Sequence, residues 1–183
     1  MARTRSSGRK PDRPRPGVRL VRMSPAEFVA FQVRSIRGYA GFQVASGWWP
    51  RRGARRRAAE LIRQMLPQGL NTPGHHCWRI EDRLRGQRVG HLWVAETDTG
   101  GRLEAFVYDI EIDPEERKRG YATAVFRLFL AWARRRRVKF IRLRVHAHNE
   151  AARALYEKLG FAPTDLLMAL PVKVVRRRRT MEP

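Results

Sequence analysis

The fold is decided by residues 110–123, which read IEIDPEERKRGYAT. Apolar side chains alternate up to Ile112, as in a strand, and Pro114 prevents the strand from continuing. A basic turn that contains Gly120 follows, and it leads into residues 120–136, which we expect to be helical. The stretch therefore predicts a strand, a turn and a helix in that order.

The turn has the features of an anion-binding site. The first amides of a helix have no partner within the helix and lie at the positive end of its dipole. Gly120 has no Cβ atom, so the backbone can approach an anion closely, while Arg117, Lys118 and Arg119 attract the anion at longer range. Residues 117–123 are therefore expected to bind a diphosphate, the alternative being an ordinary basic start of a helix. The turn lacks both the Gly-Lys-Ser/Thr ending of a Walker loop and a Gly-x-Gly-x-x-Gly dinucleotide turn.

A second informative stretch is residues 149–161, NEAARALYEKLGF. Asn149 is the expected N-cap of a helix over residues 149–159. Tyr156 shares a helical spacing with Leu155 and Leu159, so the pattern alone also fits a core aromatic. Residues 139–146 before this helix are strand-like, and residues 161–174 after it are expected to hold one or two short strands.

The first half of the chain predicts two helices and a set of strands. Ser24 and Glu27 have the spacing of a capping box, and Pro25 stands at the first helical position. A helix is therefore expected over residues 25–37, followed by an irregular aromatic segment over residues 38–50. The other expected elements are strands over 18–23, 78–84, 88–97 and 103–112, a helix over 52–66 and a loop over 67–74. Strands followed by β-helix-β-helix-β indicate an α/β domain.

Length and composition limit the class of protein. The chain has 183 residues, of which 43% are hydrophobic, and this suits one domain with a single core. No apolar run is long enough for a transmembrane helix, and no apolar stretch follows the N-terminal arginines, so no secretory signal is expected. Cys77 is the only cysteine, which excludes an intramolecular disulfide and makes the cytoplasm the expected location.

The charge is strongly positive and unevenly spread. The formal net charge is +22, and residues 1–79 carry 17 basic and 3 acidic side chains. Residues 1–17 are expected to form a disordered basic arm and residues 175–183 a basic tail. Such ends attract polyanions such as RNA or the ribosome, but a codon bias towards arginine is the favoured explanation, because no nucleic-acid-binding motif accompanies the charge.

The two stretches together resemble the GCN5-related N-acetyltransferase (GNAT) family. Arg117-x-x-Gly120-x-Ala122 is similar to the loop that binds the pyrophosphate of acetyl-CoA, and residues 149–161 are similar to the family's second conserved block. The resemblance implies an α/β fold with a mixed, partly antiparallel central sheet, flanking helices and a splayed parallel strand pair. Residues 18–174 would form one domain, with substrate-side helices over 18–74 and the acetyl-CoA-binding core over 75–174.

The resemblance further implies an N-acetyltransferase that uses acetyl-CoA as co-substrate and acetylates a primary amine by direct attack. The expected contacts with acetyl-CoA are Ile110, Ile112, Arg117, Lys118, Arg119, Gly120, Tyr121, Ala122, Thr123, Asn149 and Tyr156. No metal is expected, and the protein would be a monomer or a homodimer. The alternative is a catalytically weak protein of the same fold that binds RNA or the ribosome through its arginine-rich ends.

Three residues are candidates for catalysis. By resemblance, Tyr156 protonates or stabilises the leaving thiolate. A general base must remove a proton from the amine. The carboxylates that serve in other family members match Phe106, Tyr108 and Arg144 here, which leaves Glu111, Asp109 or a relay of waters. Asp109 and Glu111 share one face of their strand, and Tyr108 and His146 are expected on the acceptor side.

Overall fold

The structure, a computed structural model, describes residues 16–170. Residues 1–15 of the basic arm, the basic tail over 175–183 and residues 171–174 lie outside the described residues. No helix in the described part of the chain combines the length and the apolar character that a membrane crossing requires.

A sheet of five strands forms the centre of the described structure. The strands lie in chain order, with antiparallel neighbours throughout except for the last pair, which is parallel. Their bounds are β1 Val18–Arg22, β2 His75–Asp82, β3 Arg88–Asp98, β4 Leu103–Ile112 and β5 Phe140–Leu143. The helices are α1 Pro25–Ala45, α2 Ala54–Met65, α3 Tyr121–Arg135 and α4 Glu150–Lys158, with short 3₁₀ turns at Gly69–Asn71 and Pro114–Glu116. This confirms the predicted fold class.

Each face of the sheet is covered by two helices, because side chains alternate along the strands. Leu92 and Val94 of β3 point to the face covered by α3 and α4, where Phe126 and Phe129 are buried. Trp93 points to the opposite face and contacts Phe28, Phe31 and Ile62 of α1 and α2 in a second buried cluster. The sheet therefore lies between two packed layers.

Helix α1 begins as predicted but ends later. The Ser24 hydroxyl accepts a hydrogen bond from the Glu27 amide and the Glu27 carboxylate accepts one from the Ser24 amide, which confirms the capping box. The prediction of an irregular segment from residue 38 was wrong over 38–45, which are helical. Small side chains explain the extension, since Ala40 of α1 is buried with Ala54 and Ala58 of α2 and the helices can approach closely.

The predicted final strands are absent from the part of their range that the structure describes. Residues 161–170 form neither helix nor strand, and Leu166, Leu167, Met168 and Leu170 are exposed there. Residues 171–174 lie outside the described residues. The described structure contains no partner strand for this segment beside β5.

Candidate active site

A cleft opens where the two parallel strands separate. Strands β4 and β5 pair from Glu104 and Phe140 up to Val107 and Leu143, and beyond this point they no longer pair. A cavity of about 130 Å³ lies in the opening. It is lined by Val107, Tyr108, Asp109, Ile110, Leu143, Arg144, Val145, His146, Asn149 and Tyr156. Beyond the last pair, the facing backbone groups of the two diverging segments are thus available to a ligand.

A β-bulge shapes the side of the cleft formed by β4. Trp93 pairs with Asp109 and Val94 pairs with Val107, so Tyr108 is the extra residue. Tyr108 stacks on Trp93 with ring centroids 4.7 Å apart, and Asp109 contacts α1 on the same side of the sheet. The bulge therefore turns two consecutive side chains towards the face covered by α1, which a regular strand cannot do.

One oxygen of Asp109 accepts both of the hydrogen bonds that its side chain makes. The Ser35 hydroxyl donates to Oδ2 at 2.9 Å, and Nε2 of His91 lies 3.0 Å from the same atom. An ionised carboxylate only accepts hydrogen bonds, so Nε2 of His91 is the donor in this contact. Oδ1 of Asp109 has no partner in the described part of the chain.

His91 is among the most buried polar residues of the structure. Its side chain is 1% exposed, and the edge of the Phe31 ring lies against it with centroids 5.0 Å apart. Its Nδ1 atom is buried and has no hydrogen-bond partner in the described structure. The burial and the single contact through Nε2 fix the orientation of the imidazole against Asp109.

Glu111, the other predicted base, does not line the cleft. It pairs with His91 across the β3–β4 ladder, and its carboxylate lies 3.5 Å from the guanidinium of Arg117. Glu111 and Asp109 do share one face of β4, as predicted, but only Asp109 reaches the cavity.

Tyr156 lines the cleft and also packs in the core. Its ring contacts Phe126 and Phe161 with centroids 5.6 and 5.7 Å apart. Burial, and secondly the charge of Asp109, raise the pKa of its hydroxyl, so the group keeps its proton at neutral pH. The two roles considered for Tyr156 are compatible in this geometry. Asn149 also lines the cavity and caps α4 by accepting a hydrogen bond from the Ala152 amide at 3.2 Å.

The opposite wall of the cleft is aromatic and basic. The ring of His146 stacks on Phe42 of α1, with centroids 3.3 Å apart, and also on His148. Burial lowers the pKa of His146, and the neighbouring His148 and Arg144 lower it further. His146 is therefore neutral at pH 7. Arg144 is exposed at the cleft and has no ion pair in the described structure.

The basic turn leads from the end of β4 into α3. Gly120, the residue before the helix, has φ +87°, and Lys118 has φ +60°. None of the amides of residues 118–123 donates a hydrogen bond to another described residue, and residues 117–120 are exposed. The turn thus has the free donors that a diphosphate requires.

Three side chains of this turn have structural partners, one of them Arg119, whose guanidinium lies 3.1 Å from the Glu116 carboxylate. The hydroxyl of Tyr121 donates to the Asp82 carboxylate and accepts from Arg85 at 2.8 Å, so only the amide of Tyr121 is available to a ligand. Nε of Arg117 donates to the Ile112 carbonyl at 3.0 Å, which places Arg117 against the end of β4. Neither Ile112 nor the turn lines the cavity itself.

The structure brings together six of the predicted site residues around one cavity. They are Tyr108, Asp109, Ile110, His146, Asn149 and Tyr156. The sequence analysis missed Ser35 and His91 as partners of Asp109. No local pattern indicates either contact, because both depend on how α1 and β3 meet β4.

No group of three or more potential metal ligands occurs among residues 16–170. Cys77 is buried, and burial raises the pKa of its thiol to about 12, so it is a poor nucleophile at neutral pH.

Comparisons with known proteins agree with this geometry. The sequence profile of the Acetyltransferase (GNAT) family matches residues 39–161. The chain is 32% identical over 152 residues to the uncharacterized N-acetyltransferase YycN of Bacillus subtilis, which covers 83% of this chain and 97% of that protein. The crystal structure of YycN superposes with a TM-score of 0.80 at 31% identity, covering 86% of this chain and 99% of the other. A putative acetyl transferase from Pyrococcus furiosus superposes with a TM-score of 0.62 at 26% identity, covering 85% and 99%.

Proposed function

The chain belongs to the acetyltransferase (GNAT) family, and from this premise we propose that it transfers the acetyl group of acetyl-CoA to a primary amine. The observation that carries the proposal is the cleft between β4 and β5, where Asp109 and Tyr156 line one cavity. Two relatives are named as uncharacterized N-acetyltransferases, and these names support nitrogen as the acceptor atom.

Acetyl-CoA would extend from the turn into the cleft. The free amides of residues 118–123 would bind the pyrophosphate, and the unpaired backbone of Ile110 and of Val145 would bind the amide groups of the pantetheine chain. Asn149, at the cavity, would add a contact with the same chain. We assign residues 18–74 to the acceptor side, since Phe42 of α1 stacks on His146 at the cleft.

In the proposed reaction the amine nitrogen attacks the thioester carbon, the carbon–sulfur bond breaks and an amide forms. Asp109 would take the proton that the nitrogen loses, through its free Oδ1 atom or through one water. Tyr156 would donate its hydroxyl proton to the departing thiolate, which the raised pKa of Tyr156 permits at neutral pH. His91 and Ser35 would hold the carboxylate in place.

Calorimetry with acetyl-CoA and a thiol-release assay over a panel of amines test the proposal. We expect saturable binding and release of CoA with at least one amine. A matched pair of variants at the third position of α3 sharpens the test. Thr123→Asp suits a helix N-terminus but repels a diphosphate, whereas Thr123→Val keeps the shape without the charge.

We expect Thr123→Asp to abolish binding of acetyl-CoA and Thr123→Val to retain most of it. Absence of binding by the unaltered protein at millimolar concentrations would refute the proposed function. Equal binding by the two variants would refute the assignment of the turn.

A further inference from the structure

A second groove lies at the corner between α1 and α2. Its volume is about 440 Å³, and it is lined by Trp49, Arg56, Arg57, Glu60 and Leu61. The carboxylate of Glu60 is already paired with Arg63 and accepts a hydrogen bond from Gln64. Trp49 and Leu61 contribute apolar surface to the groove, and its uncompensated charge, that of Arg56 and Arg57, is positive.

Exposed arginines at and just before the start of α2 form what we call the α2 basic cluster, and two of them, Arg56 and Arg57, line the groove. It consists of Arg51, Arg52, Arg55, Arg56 and Arg57, all of which are exposed. None of the five forms an ion pair with any residue that the structure describes, whereas Arg63 on the same helix pairs with Glu60. Like charges this close repel one another, so an anionic ligand along this face would be stabilised.

Ring side chains connect the groove with the cleft. Trp49 of the groove contacts Tyr39 of α1, with centroids 5.6 Å apart. Tyr39 lies one helical turn before Phe42, and Phe42 stacks on His146 at the cleft. The path from the groove to the cavity is therefore roughly 15 Å, given the usual spacing of side chains one turn apart.

We propose that the acceptor is an acidic polypeptide, whose amine enters the cleft while its carboxylates lie along the α2 basic cluster. The inference rests on the proposed function. About four or five residues of extended chain span the path from the cavity to the groove. Polypeptides also provide aliphatic amines, which are far better nucleophiles than the aromatic amines of nucleic acid bases. Arg144, at the cleft, adds a cation for a carboxylate close to the reacting amine.

Three six-residue peptides with a free N-terminal amine test the proposal. Each begins with two alanines, and the remaining four residues are all Glu, all Gln or all Lys. We expect kcat/KM in the thiol-release assay to be at least about tenfold higher for the Glu peptide than for the Gln peptide at low salt, and lowest for the Lys peptide. The preference should shrink as salt is added, because the interacting charges are exposed.

Paired variants link the preference to the α2 basic cluster. The double variant Arg56→Gln/Arg57→Gln should lose most of the advantage of the Glu peptide while keeping its rate with the Gln peptide. Arg134→Gln/Arg135→Gln removes the same charge from the exposed end of α3, and it should keep the advantage. Binding of a fluorescent, N-terminally acetylated Glu peptide, measured by anisotropy, follows the same contact without turnover and should weaken at least about tenfold in the first variant only.

The outcomes separate this inference from the proposed function. Equal kcat/KM for the three peptides in an active enzyme would overturn the acidic acceptor and leave the acetyltransferase intact. An oligouridylate that displaces the labelled peptide at lower concentration than the unlabelled peptide does would also overturn it, because the groove would then select nucleic acid. If the enzyme releases CoA with none of the amines tested, the proposed function itself is wrong.

Discussion

Nε2 of His91 lies 3.0 Å from Oδ2 of Asp109, although 18 residues separate them in the chain. The contact crosses from β3 to β4 on the face covered by α1. Together with the Ser35 hydroxyl, His91 holds Oδ2 of Asp109 in place, while Oδ1 has no partner in the described structure. A general base needs this combination of a fixed position and a free oxygen.

Replacing Asp109 tests its role as the base. Asp109→Asn keeps the size and the contact with Ser35 but cannot accept a proton at neutral pH. We expect kcat/KM to fall by about 100-fold or more, with binding of acetyl-CoA unchanged. Glu111→Gln is the matched control on the same strand face, and its effect should be small because Glu111 does not line the cavity. The reverse ranking would move the base to Glu111, and no effect of either would favour a relay of waters.

His91 is expected to act only through Asp109. His91→Gln keeps an N–H donor near Nε2, whereas His91→Phe keeps the ring shape and removes the donor. We expect His91→Phe to lower kcat by about tenfold and His91→Gln to recover much of the loss. Thermal unfolding of both variants checks that the buried ring is tolerated. If the two variants have equal rates and equal stability, the hydrogen bond does not contribute to turnover.

Tyr156→Phe separates the two roles of that residue. The phenylalanine ring keeps the contacts with Phe126 and Phe161, so stability and the affinity for acetyl-CoA should change little. Loss of the hydroxyl should lower kcat by about 100-fold. Because the pKa of Tyr156 is raised above 10.0, its ionisation should cause no fall of kcat between about pH 7 and about pH 9 in the unaltered enzyme. Unchanged turnover in Tyr156→Phe would leave only the core role.

Acid unfolding is expected to depend on Asp82. The Tyr121 hydroxyl, and after it the Arg85 amide, lower the pKa of Asp82 from 3.8 to about 2. A pKa below the unfolded value means that ionised Asp82 stabilises the fold fully above about pH 4, and that this contribution disappears as the pH falls to about 2. Tyr121→Phe should lower the free energy of unfolding by about 1 kcal/mol at neutral pH and by less at about pH 2.

Urea titrations at several pH values measure this difference. Tyr39→Phe is the control, because Tyr39 is 41% exposed and lies far along the chain from Asp82. A loss of stability in Tyr121→Phe that is the same at every pH would contradict the link to Asp82.

Two glycine substitutions should have opposite effects on stability. A Cβ atom on Gly90 would lie 2.1 Å from the Glu111 carbonyl oxygen, which is backbone of the neighbouring strand and cannot move alone. Gly90→Ala should therefore cost about 3 kcal/mol or more, or prevent folding. Gly38, within α1, has nothing within 4 Å of the same position, so Gly38→Ala should stabilise by about 0.5–1 kcal/mol. Denaturant midpoints compare the two, and equal midpoints would contradict the close approach of β3 and β4.

The sequence was sufficient to predict those elements whose formation depends on residues close to one another in the chain. The start of α1 follows from Ser24, Pro25 and Glu27, whose contacts all lie within one helical turn. The strand, turn and helix around Gly120 follow in the same way, since Pro114 and Gly120 act on their own backbone. The family resemblance supplied the parallel pair β4–β5, which no periodicity indicates.

The features that the sequence did not predict depend on tertiary contacts. α1 continues through Gly38 because Ala40 finds a helix to pack against, and that helix begins fourteen residues later at Ala54. The bulge at Tyr108 places Tyr108 and Asp109 on the same face of β4, and the sequence pattern of β4 does not indicate it. His91 likewise reads as one polar residue in an apolar strand until the register of β3 and β4 is known.

The early end of the β4–β5 ladder has a consequence for the whole chain. Past Leu143, α4 joins the remainder of the described protein through side-chain packing of residues such as Tyr156 and Leu159, with no strand pairing to hold it. An acetyl-CoA molecule bound between β4 and the segment after Leu143 would contact both α4 and the rest of the described protein. Amide hydrogen exchange in α4 should then slow when acetyl-CoA binds, at positions well away from the reacting atoms, because the bound substrate would also stabilise α4 against local unfolding.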